Sequence, residues 1–160
     1  VMGDLSAAMA YLAAQDFAQT DAAAITGFCW GGNITWQACQ KLNLFKAGVA
    51  WYGRLAPAAD APDDGRQWPV DLADQLSAPV LGLYAGKDQG IPLADVERMR
   101  QALAAAGKTD SEIIVYPEAQ HGFHADYRAA YDAEAARDGW RRMLAHFAQH
   151  GVAAHPHHAA

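Results

Sequence analysis

Gly27-Phe28-Cys29-Trp30-Gly31-Gly32 follows the apolar run from Ala22 to Thr26 and opens a helical pattern, which sets a cysteine on a tight turn between a strand and a helix. That is the geometry of a nucleophile elbow. Such a turn holds its central residue in a strained backbone conformation so that the side chain projects above the sheet, and glycines two positions to either side avoid a steric clash. Gly27 and Gly31 occupy those two positions. Farther on, Pro79 to Ala85 reads as a buried parallel strand, with Gly86-Lys87-Asp88 delivering a carboxylate just past its carboxyl end. Ile113 to Pro117 is the next strand, and its loop carries His121-Gly122-Phe123. Nucleophile, acid and histidine therefore follow in that order, each at the C-terminal end of a strand.

This is the chain order of the α/β-hydrolases. The elbow G-F-C-W-G-G, the Trp51-Tyr52-Gly53 strand end, the A-G-K-D turn and the stretch H-G-F-H-A-D-Y-R together resemble the dienelactone hydrolase family, whose nucleophile is cysteine. The match runs from Val1 to about Gly151. The resemblance implies that Cys29, Asp88 and His121 take the family's triad positions, and that the reaction opens an ester or lactone through an acyl-thioester. It also implies several strands ahead of the elbow, whereas this sequence starts one helix before it. The expected fold is thus the C-terminal part of an α/β-hydrolase, about four parallel strands flanked by helices. Residues 1–151 would form that domain, and 152–160, with His155, His157 and His158, a frayed tail.

The bulk numbers narrow the partners. With 160 residues and 52% hydrophobic content the chain is one domain with a sizeable core. Its formal net charge of −6 offers no footprint for nucleic acid or an anionic membrane, and no apolar run approaches a bilayer span. A small-molecule ester or lactone is the expected partner, with no cofactor. Two cysteines ten residues apart, without a C-x-x-C, suggest neither a disulfide framework nor a metal site. Cys39 falls within the helix after the elbow and reads as a packed thiol. Cytoplasm is the default compartment for an unpaired reactive thiol.

Along the chain, Leu5, Met9 and Leu12 recur at helical spacing, so Asp4 to about Phe17 is expected as a helix with Asp4 as its N-cap. A helix from Gly32 to about Leu42 and a strand from Ala47 to Tyr52 follow. Arg54 to Pro69 breaks all periodicity and is longer than most connections, which suits either a binding loop or a surface excursion. Pro92 starts a helix with the stripe Val96, Met99, Leu103 and with Gly107 as the residue after its cap. The last helix is expected from about Ala130 to His150, with Trp140, Leu144 and Phe147 facing the core.

The chemistry follows from these placements. A thiol is mostly protonated at neutral pH, so Cys29 needs His121 as base and gains from the N-terminal end of the helix that follows it. Asp88 would orient the imidazole and stabilise its cationic form. The backbone N–H of Trp30 is the expected oxyanion donor, and its usual second partner lies in the half not present. His124 competes with His121 for the role of base and Asp126 with Asp88 for that of acid, while Asp95 reads as a first-turn acid. Trp51, Tyr52 and Phe123 would ring the site. The family resemblance implies an arginine four residues after the histidine that binds a substrate carboxylate; here that position is Ala125 and the nearest arginine is Arg128. Two other readings stand beside the hydrolase: a non-catalytic half-fold that binds or interacts, and a redox-sensing Cys29. The sheet edge beside the elbow strand is expected to be bare unless a second copy or upstream residues cover it.

Overall fold

Glycine placement sets how closely the layers approach. The computed structural model describes residues 1–58, 60–62 and 64–152, so the histidines expected in the tail lie outside the described residues. Strands β1 (Ala24–Phe28), β2 (Ala47–Trp51), β3 (Val80–Ala85) and β4 (Glu112–Tyr116) form one parallel sheet in the order β1-β2-β3-β4. Its register pairs Phe28 with Trp51, Trp51 with Leu83, and Ala85 with Tyr116. The C-terminal strand ends are therefore level, and the loops that leave them share one rim.

Helix α1 (Met2–Ala13) precedes β1, α2 (Trp30–Lys41) joins β1 to β2, α3 (Leu93–Ala105) joins β3 to β4, and α4 (Ala133–Gln149) closes the chain. Right-handed crossovers that always step the same way keep their helices on one face. Accordingly α2 lies over Gly48 and Gly82, where an added Cβ would meet Cys39 Sγ at 2.8 Å and Trp36 at 3.1 Å respectively. A 3₁₀ segment, Pro69–Gln75, fills the same layer between α2 and α3, tied by Gln40 Nε2 donating to the Pro69 carbonyl at 2.7 Å. That segment was not legible in the sequence. Its Pro, Val, Asp, Leu, Ala and Asp follow no helical stripe.

Helix α4 covers the opposite face, and it does so with small residues. Ala135, Ala136, Gly139, Met143 and His146 are its buried positions, and a Cβ on Gly139 would stand 2.6 Å from the Trp51 ring. Trp51 rises from the sheet, so the helix can seat only where it offers no side chain. This rotates Trp140 and Leu144 outward beside β1, where they are 46% and 53% exposed, contrary to the expectation that they face the core. Phe147 does pack against it. Asp132 caps α4, its Oδ1 accepting from the amides of Glu134 and Ala135 at 3.1 and 3.0 Å. Asp4 does not cap α1; it lies in the first turn, because the helix already starts at Met2.

Strands β2 and β3 are buried at every position, whereas β1 is partly exposed along its length. Its outer edge pairs with no strand among the described residues. Among those residues, too, no helix is long and apolar enough to cross a membrane.

At the rim, α2 begins in backbone contact with the end of β2. A Cβ on Gly53 would fall inside the backbone of Gly32 and Asn33, and one on Gly27 inside that of Gly31. Gly53→Ala should lower stability by about 1–3 kcal/mol, since overpacking against backbone cannot be relieved by rotating a side chain. Urea unfolding with an unchanged midpoint would show that the two segments can part freely.

Candidate active site

Cys29 sits between β1 and α2 with φ 54° and ψ −118°, a left-handed conformation that is rare for any residue but glycine. Its own hydrogen bonds hold it there. The Cys29 N–H donates to the Trp51 carbonyl at 3.0 Å, and its carbonyl accepts from the amides of Gly32 at 3.0 Å and Asn33 at 3.3 Å. The side chain is thereby thrust above the strand ends. Trp30 is the first residue of α2, so its N–H has no carbonyl one turn back and remains available beside the sulfur.

Asp88 follows β3 and His121 follows β4, so the sheet order brings them together. His121 Nδ1 lies 2.6 Å from Asp88 Oδ2. The other carboxylate oxygen, Oδ1, accepts from the amides of Gly90 at 2.8 Å and Ile91 at 3.1 Å. The Asp88 side chain is 1% exposed. Burial pushes its carboxyl up, but the hydrogen bonds from His121, Gly90 and Ile91 and the attraction of the imidazole outweigh it and hold the group below the ordinary carboxylate range. Asp88 is therefore ionised at neutral pH and supports a proton on the ring nitrogen that faces it.

The thiol behaves differently. Burial lifts the Cys29 thiol above its ordinary value of 9.0; the Arg128 guanidinium opposes the rise and the Asp88 carboxylate adds to it. Cys29 also stands at the N-terminal end of α2, as expected from the sequence. Among the described residues no hydrogen bond joins Cys29 to His121, although both line one cleft. This environment favours the neutral thiol. Cys39 is wholly buried, and burial pushes its thiol up to about 12, which makes it inert packing.

Two clefts meet at Cys29 and Tyr52. The first, of about 820 Å³, is walled by Trp30, Arg54, Arg66, Trp68, Asp88 and His121. The second, of about 750 Å³, is walled by Phe28, His124, Tyr127, Arg128, Trp140 and Leu144 and lies beside the open edge of β1. The first contains the Asp88–His121 pair. His124 and Asp126 face the second cleft, away from Asp88, with the His124 ring 4.6 Å from Trp51 and burial lowering its pKa against a small rise from Asp126. Asp95 lies in the first turn of α3, 3.6 Å from Arg98 Nη1.

The aromatic ring imagined around the site divides in the structure. Tyr52 borders both clefts and Trp30 the first, but Trp51 and Phe123 are wholly buried in the core and line neither. Both side chains point to the α4 face, where Trp51 stacks on Phe28 at 5.2 Å and meets Phe123 at 6.0 Å. Arg128 reaches back over Gly122, which turns with φ 81°, and so brings a cation to the sulfur from three residues beyond the position the resemblance implied. Arg54, Arg66, Lys87 and Gln120 also border the first cleft and were not singled out from sequence. Arg54 had a usable signal: it follows the β2 strand end directly, and ligands in open α/β sheets bind at the carboxyl ends of strands.

An α/β fold with a cysteine elbow and an Asp–His pair on neighbouring strand ends defines a class, and comparison with known proteins narrows it. The sequence profile of the dienelactone hydrolase family matches residues 1–151, and the chain belongs to that family. It is 54% identical over 155 residues to a Methylorubrum extorquens protein named "Putative carboxymethylenebutenolidase", covering 96% of this chain and 52% of that protein. A Yersinia pestis protein of the same name is 54% identical over 147 residues, with 92% and 54% covered. The chain therefore spans about half the length of these curated relatives. A solved Klebsiella pneumoniae structure titled "Putative Dienelactone Hydrolase" superimposes with a TM-score of 0.85 at 51% identity, covering 92% of this chain and 60% of that one.

The balance of causes at the sulfur can be tested. In a Cys39→Ala background, alkylation of Cys29 by iodoacetamide should rise with pH to a midpoint above 9.0, the ordinary thiol value. Arg128→Ala should move that midpoint higher still, because loss of a nearby cation disfavours the thiolate. A downward move would mean that Arg128 does not act on the sulfur.

Proposed function

We propose that this chain carries the nucleophile, acid and base of a cysteine-dependent hydrolase of carboxylic esters or lactones. The observation that supports this most directly is the 2.6 Å His121–Asp88 contact opening on the same cleft as an elbow cysteine with φ 54°. Family membership supports the same class of substrate bond.

Because the resting sulfur is protonated, attack and deprotonation are coupled. His121 Nε2, the nitrogen not engaged by Asp88, takes the Cys29 proton as the sulfur closes on the carbonyl carbon. Asp88 stabilises the imidazolium that results. Negative charge gathers on the carbonyl oxygen, where the Trp30 N–H meets it; one such donor contributes about 2.7–4 kcal/mol to the transition state. The C–O bond then breaks and the departing oxygen takes the proton from His121. Water, deprotonated by the same ring, hydrolyses the thioester and restores the thiol. Arg54, Arg66 and Lys87 around the first cleft favour a substrate with negative or strongly polar groups.

In the protein carrying this chain at its natural length, Cys29→Ala should abolish hydrolysis of a phenyl ester while Cys39→Ala changes it little. His121→Ala should be about as damaging as the nucleophile variant, and Asp88→Asn should cost on the order of a hundredfold or more in kcat, since groups that act as a unit fail together. Full activity in Cys29→Ala would rule out the thioester route. Greater damage from His124→Ala than from His121→Ala would reassign the base.

The free edge of β1 bears on assembly. A parallel strand whose outer edge has no partner strand among the described residues, beside exposed Phe28, Trp140 and Leu144, presents hydrogen-bonding groups and apolar surface together, and such surfaces associate. The 160-residue chain alone should therefore self-associate in sedimentation experiments. A stable monomer at all concentrations would contradict this.

A further inference from the structure

Among the described residues only two other than glycine have positive φ: Cys29, and Tyr52 with φ 36°. Strain of this kind costs of order 1–3 kcal/mol and lasts only where the surroundings over-determine it. They do so at Tyr52. Its N–H donates to the Leu83 carbonyl at 2.7 Å, and the next carbonyl, that of Gly53, accepts from the Tyr84 hydroxyl at 2.9 Å. The Tyr84 hydroxyl in turn accepts from Trp36 Nε1 at 2.9 Å, and Gly53 is pressed against the backbone of Gly32 and Asn33. This buried relay fixes the turn after β2 to the start of α2. The strained residue and the elbow are therefore one rigid unit.

The turn sets Tyr52 beside the nucleophile's clefts. Tyr52 is only 2% exposed, yet it borders both clefts together with Cys29. Its ring is set edge-on to His121 at 5.2 Å and to Phe123 at 5.1 Å. Burial raises the phenol pKa, with the neighbouring Cys29 adding to the rise, so the hydroxyl stays protonated and acts as a donor.

Sheet order says which oxygen it serves. Tyr52 follows β2, between Cys29 after β1 and His121 after β4. The leaving oxygen must turn toward His121 to receive its proton, and so it departs on the side where Tyr52 stands. We infer that the Tyr52 hydroxyl is a further catalytic group, donating a hydrogen bond to the leaving-group oxygen as its bond to the acyl carbon breaks. The inference rests on the cysteine-hydrolase reading above. In this step the sulfur–carbon bond is formed and the carbon–oxygen bond breaks with its electron pair passing to oxygen. The proton comes from His121, and Tyr52 keeps its own.

Tyr52→Phe preserves the ring and removes the donor. It should be compared with wild type on acetate esters of alcohols and phenols of graded acidity, reading kcat/KM, which reports events through acylation. Loss of about tenfold to a hundredfold is expected for alkyl esters, whose leaving oxygen carries most charge, and loss within about threefold for a nitrophenyl ester. The unfolding midpoint and the rate of Cys29 alkylation should stay near wild type. Equal loss across all esters would make Tyr52 a positioning residue, and no loss would make it packing; either overturns the inference while Cys29 dependence stands. If Cys29→Ala keeps its activity, the hydrolase reading and this inference fall together.

Discussion

Backbone packed directly on backbone at the C-terminal rim is the constraint on which the rest depends. Gly27, Gly32 and Gly53 let the start of α2 approach the ends of β1 and β2 more closely than any side chain would allow. That approach forces Cys29 into its left-handed conformation, and the bond from its N–H to the Trp51 carbonyl locks it. The strain is local and is offset by the burial of Trp36, Trp51 and Tyr84 around it. The nucleophile's position is thus a property of two strands and a helix together.

Electrostatics around the rim divide the work. Asp88 is kept ionised by three donors, while the thiol is kept protonated by burial despite Arg128. A resting thiol beside a ready base is chemically quieter than a standing thiolate, and it resists oxidation for the same reason.

Much of this was legible in the sequence because it depends on local chemistry. The elbow shows in the spacing of Gly27, Cys29 and Gly31, and parallel strands joined by helices show in the alternation of apolar runs. What periodicity does not encode is the rotation of α4. Trp140 and Leu144 are as apolar as Met143, and only the height of Trp51 above the sheet, met by Gly139, decides which of them turns inward. The same tertiary fact buries Trp51 and Phe123, which as strand-end and loop aromatics looked equally suited to a cleft. Arg54 and Arg66 reach the site through a stretch without pattern, where reach is set by the path of the backbone. Tyr52 reads in the sequence only as an aromatic at a strand end, and its positive φ has no signature in residue type.

The four strands lie side by side in the order in which they occur along the chain. Each therefore finds its neighbour already made, and the sheet can grow in one direction by adding the newest strand to the last. Each pairing still spans a whole crossover, so loop closure precedes it and the sheet forms more slowly than its helices. On a ribosome the cysteine turn would be complete once β2 has emerged, whereas the histidine arrives only with the loop after β4. The sulfur is therefore seated well before the residue that would take its proton has joined the sheet.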